Sequence, residues 1–138
     1  MTRLLAHWIF PVDQPPIEHG IVEITDGTVS AVKPLSGQPD STMVDLGNVA
    51  IIPGLVNAHA HLEFGSLDAP IEPALPFTDW IGRLLAHRRE RTGSLASFIT
   101  TGSREATQSG STFIGDIVTG DWSPDCVLKD GPSIVAFR

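Results

Sequence analysis

The sequence predicts a small β-sheet domain followed by the opening of a parallel α/β domain. Three observations point there. The first fifty residues are rich in strand-like runs and carry an Asp26-Gly27 turn; a strand, helix, helix, strand, loop, strand order follows; and the composition is that of a folded chain. An apolar fraction of 41% with 18% charged residues excludes the low-hydrophobicity, high-charge class that stays disordered. At 138 residues the chain is long enough to bury a real core.

The elements follow in order. Leu4 to Val12 is apolar but is interrupted by His7, broken at Pro11 and followed by Asp13 rather than a small-residue cleavage site, so it is a strand and not a signal peptide. From Gly20 to Val32 apolar and β-branched residues flank Asp26-Gly27, a dipeptide that accepts the positive φ angles of a tight turn, which predicts a β-hairpin. Pro34 to Ser41 is a loop, and strands resume near Met43. Val49 to His61 is mostly apolar with a Pro53-Gly54 break, predicting a short strand, a crossover and a buried strand from Leu55 to His61. Phe77, Trp80, Ile81, Leu84 and Leu85 then recur at helical spacing. Ser94 can cap a second helix running to about Gln108, and Gly110 stands where a left-handed C-terminal cap belongs. Thr112 to Val118 and Ile134 to Phe137 complete the strands, the last of them at the end of the chain.

Nine Lys plus Arg against sixteen Asp plus Glu give a net charge of -7, which repels phosphate backbones and anionic lipid. No nucleic-acid or membrane partner is expected, and no apolar run approaches the ~20 residues of a membrane-spanning helix. Cys126 is the only cysteine, so an intrachain disulfide is excluded and a cytoplasmic location is expected.

The chemistry concentrates in His59-Ala60-His61. Strand side chains alternate faces, so two histidines at spacing two project the same way, about 6–7 Å apart along the chain, and both can reach one divalent ion such as zinc. On a helix that spacing would fail. Alone, His-x-His fits a silent, hydrogen-bonded pair equally well. Glu63 shares the parity of the histidines and is a candidate substrate contact if the strand stays extended; the alternative is a solvated loop carboxylate. Asp116 falls on a buried strand and needs a partner, so a structural hydrogen bond to a neighbouring loop is favoured over catalysis. His7, His19 and His87 have no ligand partners at a telling spacing, with His87 on a charged helix face. Arg83, Arg88, Arg89 and Arg91 are interspersed with Glu90 and suggest an ordinary solvated face. His61-Leu62-Glu63 could open the zinc-deaminase His-x-Glu signature, but its second half needs two cysteines.

The string Pro53-Gly54-Leu55-Val56-Asn57-Ala58-His59-Ala60-His61-Leu62-Glu63 closely resembles the first barrel-strand motif of the amidohydrolase superfamily, in its cytosine-deaminase and chlorohydrolase-like branch. Phe77-Thr78-Asp79-Trp80 stands where that family carries a Phe-x-x-Trp-type helix, and Gly110-Ser111-Thr112-Phe113-Ile114-Gly115-Asp116 is similar to its second barrel strand. Asn57 to Glu63 is also similar to aminodeoxyfutalosine deaminase-like members and related purine-nucleoside deaminases, with Ala60 where many carry Thr.

The resemblance implies a β-sandwich segment over residues 1–52 and the first strands and helices of a (β/α)8 TIM-type barrel over 53–138. A complete barrel needs about 250 residues, so an incomplete barrel and an N-terminal piece of a longer protein are expected. The resemblance further implies a metal-dependent hydrolase acting on carbon-nitrogen bonds other than peptide bonds, by deamination or by amide or halide hydrolysis. Its cofactor would be a divalent metal, zinc first and ferrous iron second, with His59 and His61 as ligands. The remaining ligands and the catalytic proton shuttle would lie beyond residue 138. The expected partner is a small-molecule substrate, a cyclic amine, amide or purine-like compound, with homo-oligomerisation left open. The competing expectation is a truncated, non-catalytic remnant or interaction module of the same fold, with the 138-residue chain inactive by itself.

Overall fold

The computed structural model describes residues 1–121 and 123–138. It is mixed α/β, and the chain divides into two compact units, Met1–Pro53 and Gly54–Arg138.

The first unit is one five-stranded sheet. Its strands are β1 (Thr2–Ile9), β2 (Ile17–Thr25), β3 (Thr28–Pro34), β4 (Met43–Asp45) and β5 (Ala50–Ile51). β2 and β3 form the expected hairpin, with Asp26 and Gly27 both at positive φ, 51° and 75°. β1 runs antiparallel to β2, pairing Leu4 with Val22 and Leu5 with Ile21, while β4 and β5 lie parallel to β1. The sheet order is β3-β2-β1-β4, with β5 also on β1. Ala6, Ile9 and Val22 form a buried cluster, flanked by Ile17, Ile24 and Ile51.

The second unit carries a parallel sheet ordered β6-β7-β8, made of β6 (Leu55–Ala60), β7 (Ser111–Ile117) and β8 (Ser133–Phe137). Two helices, α1 (Phe77–Glu90) and α2 (Leu95–Gln108), form the β6-to-β7 crossover. Parallel neighbours require such a long connection. Ser94 caps α2 as predicted, its hydroxyl accepting from Ser97 N–H at 3.1 Å, and Gly110 follows the helix at φ 82°. The core is Leu62, Ile99 and Ile114, with Ile114 fully buried beneath α2.

Two expectations need correction. β6 was expected to be buried, yet Leu55 is 50% and Val56 67% exposed. The core Leu62, Ile99 and Ile114 gathers α2, the turn after β6 and the centre of β7, and β6 reaches it only through Ala60 at its end. The amphipathic α1 is present, but none of its residues is fully buried.

Candidate metal centre

β6 ends at Ala60, one residue earlier than expected, so His59 is on the strand and His61 is the first residue past it. His61 remains extended, at φ -131° and ψ 83°, which preserves the alternation that aims both rings the same way. Their centroids are 5.3 Å apart with the planes at 70°. His61 Nδ1 lies 3.1 Å from the carbonyl oxygen of Ile117, at the end of β7. A carbonyl only accepts, so in the neutral ring the proton is on Nδ1 and Nε2 keeps its lone pair. Histidines that bind metal are oriented by this kind of bond from the other ring nitrogen.

The donor set therefore fits a divalent cation held from one side. Among the described residues no group of three or more His, Cys, Asp or Glu is placed to hold a metal ion. His7 and His19 do meet, across β1 and β2, with centroids 4.7 Å apart and Glu18 Oε1 3.8 Å from His7 Nε2. Cross-strand pairing brings them together, and spacing along the chain could not reveal it.

Glu63 is placed differently from either reading of the sequence. A 3-10 turn, Leu62–Phe64, begins immediately after His61, so the strand does not stay extended and the shared-parity argument lapses. Nor is Glu63 solvated: it is 6% exposed. Its carboxylate accepts from Arg88 Nη2 at 2.5 Å, Arg91 Nη2 at 2.8 Å and the Thr119 hydroxyl, while its backbone oxygen accepts from Arg91 Nη1 at 2.9 Å. Burial pushes the carboxyl up, but Thr119, Arg91 and Arg88 together outweigh it and hold the pKa below its ordinary value. Arg88 and Arg91 are accordingly not part of a plain solvated face. A buried carboxylate requires partners, and they supply them. His87 also has company, its Nε2 lying 3.2 Å from Ser66 Oγ.

Asp116 behaves as expected of a buried structural carboxylate. Its Oδ1 accepts from the Leu62 backbone N–H at 2.8 Å, tying the turn after His61 to β7. Burial is the main influence on it and raises its pKa. Beside His61 lies a cavity of about 680 Å³, with Phe64, Leu67, Ile71, Trp80 and Leu84 among its apolar walls and Arg88 as its cation. Sites for small molecules have this character, mostly apolar with a few convergent polar groups.

No family model matches the sequence. Among curated proteins the chain is similar to 5-methylthioadenosine/S-adenosylhomocysteine deaminases, and it covers a fragment of them. In particular, it is 32% identical over 111 residues to a 5-methylthioadenosine/S-adenosylhomocysteine deaminase of Nitratidesulfovibrio vulgaris, a match covering 73% of this chain and 24% of the relative. Among solved structures, Helicobacter pylori aminofutalosine deaminase, in complex with methylthio-coformycin, superposes with a TM-score of 0.74 at 20% identity, covering 99% of this chain and 35% of that one. An adenosine deaminase from Xanthomonas campestris with bound zinc gives 0.60 at 20% identity, over 91% and 30%. At that identity the two structures speak for the fold. The chain thus spans about a quarter of the length of the sequence relative.

Proposed function

We propose that this chain is the ligand-bearing opening of a metal-dependent hydrolase that acts on carbon-nitrogen bonds other than peptide bonds, with hydrolytic deamination of a purine-like amine as its reaction. The observation that carries the reading is the His61 Nδ1 contact with Ile117 O, which leaves Nε2 free beside His59 at the end of a parallel strand. Functional side chains of (β/α)8 enzymes sit at such strand ends. In this reading residues 1–52 are a β-sandwich segment and 53–138 open a (β/α)8 barrel. The all-parallel β6-β7-β8 sheet with its helical crossover supports the barrel assignment. A cytoplasmic location is proposed on the single cysteine.

His59 and His61 would hold the divalent cation, zinc first. When bound, such a cation lowers the pKa of a coordinated water toward neutrality and so supplies the nucleophile. The chain's own contribution is orientation. The Ile117 carbonyl fixes the His61 ring, Asp116 pins the backbone at Leu62, and the cavity beside His61 offers mostly apolar walls where substrate would lie. The names of the relatives, deaminases of purine nucleosides, support the substrate class.

The test is ammonia release from aminopurine nucleosides by the full-length protein, before and after chelation. Release that stops on chelation and returns with Zn²⁺ is expected. Bound metal without ammonia release from any nucleoside would move the substrate class to other amides or halides. Absence of both metal and hydrolysis would favour the non-catalytic alternative.

A further inference from the structure

We infer that Glu63 is a positioning residue for His61: through Arg88, Arg91 and Thr119 it locks the turn after the histidine pair against α1 and the end of β7. The inference rests on the reading of His59 and His61 as ligands, and it concerns what holds one of them still.

His61 and the turn that follows are attached at three successive residues. The His61 ring bonds Ile117 O, the Leu62 N–H bonds Asp116, and the Glu63 carboxylate bonds the Thr119 hydroxyl. All three partners fall within residues 116–119, so the turn is stitched residue by residue to the end of β7. Glu63 adds what the other two do not. Its carboxylate also takes Arg88 at 2.5 Å and Arg91 at 2.8 Å, and its backbone oxygen takes Arg91 again at 2.9 Å. One nearly buried side chain therefore joins the turn, the C-terminal end of α1 and the segment after β7.

Charge gives the second reason. Arg88 lines the same cavity as His61, and its guanidinium lies 5.0 Å from the Phe64 ring centroid. Two guanidinium groups without a counter-charge would repel a dication in that neighbourhood, and the interior screens such repulsion poorly. Glu63 supplies the counter-charge with hydrogen bonds to both. With every carboxylate oxygen engaged, it has little left to offer a substrate.

The test uses the full-length protein as wild type, E63Q, E63D and T119V. Nitrogen NMR of His61 in metal-free protein reads the tautomer, and competition with a chelator reads zinc retention. The wild type should show a single Nδ1–H tautomer, and E63Q a mixture of tautomers. Zinc retention should fall in E63Q by up to about 10-fold, the low end of the range for loss of a partner bonded directly to a ligand, because Glu63 acts on His61 through the turn. E63D keeps the charge and should recover most of both. T119V, which removes one bond only, should show smaller shifts in the same direction, and it decides the matter if E63Q does not fold. An unchanged tautomer and unchanged zinc retention in a folded E63Q or T119V would overturn the inference, as would a lowered melting temperature with neither readout moved. A wild-type protein that binds no zinc would instead sink the metal reading, while the tautomer readout would still judge the role of Glu63.

Discussion

At the residue scale, the site depends on single atoms whose partners are fixed by their chemistry. The buried Asp116 carboxylate exists to satisfy the Leu62 N–H, and that N–H has no other acceptor in the described structure. Asp116→Ala would leave a buried donor unpaired, at a cost of about 1–3 kcal/mol. Thermal unfolding of the full-length variant would check it, and an unchanged midpoint would contradict it. Asp116 was legible in the sequence because a carboxylate on an apolar strand must find a partner. The His-x-His pair was legible because strand alternation is a local rule. Glu63 was not, since its surroundings depend on a turn that starts one residue after His61 and on arginines 25 and 28 positions away.

At the element scale, α2 approaches the turn after β6 closely enough that only glycine fits. A Cβ on Gly102 would lie 2.6 Å from the Leu62 carbonyl oxygen, and one on Gly65 would lie 2.3 Å from the Gly102 nitrogen. Gly102→Ala should therefore push α2 from the turn and destabilise the protein by about 1–3 kcal/mol, the usual cost of overpacking. Equal stability to denaturant in wild type and variant would count against the contact. The tie between α1 and the turn should be sensitive to acid. The Glu63 pKa is lowered on folding, so its stabilising contribution is full above the ordinary carboxylate range and is lost as pH falls through the folded value. The melting-temperature advantage of wild type over E63Q should accordingly shrink on acidification, and a constant gap would refute it. Most elements could be read from sequence: the Asp26-Gly27 hairpin, the Ser94 cap and both helices rest on local signals. The 3-10 turn Leu62–Phe64 escaped, because three residues carry no periodicity.

At the scale of the whole molecule, apolar residues remain on the parallel sheet. Val56 is 67% exposed, Phe137 51%, Val135 43% and Phe113 41%. Among the described residues the outer edges of β6 and β8 pair with no further strand. Unpaired edges and apolar patches recruit other chains, so the 138-residue chain expressed by itself should self-associate. Sedimentation would reveal it, and a well-behaved monomer with a sharp unfolding transition would argue otherwise. The order of elements was legible here, and so were the bare faces, because strands apolar enough to be covered on both sides stay uncovered in a three-stranded sheet.

In the proposed function, His59 and His61 hold a divalent cation on which hydrolysis depends. Elemental analysis of the full-length protein, paired with turnover, tests it in wild type, His59→Ala and His61→Ala. Stoichiometric divalent metal in the wild type, with metal depleted and turnover lowered by several orders of magnitude in each variant, is the expected result. Near-normal metal content and turnover in either variant would contradict it.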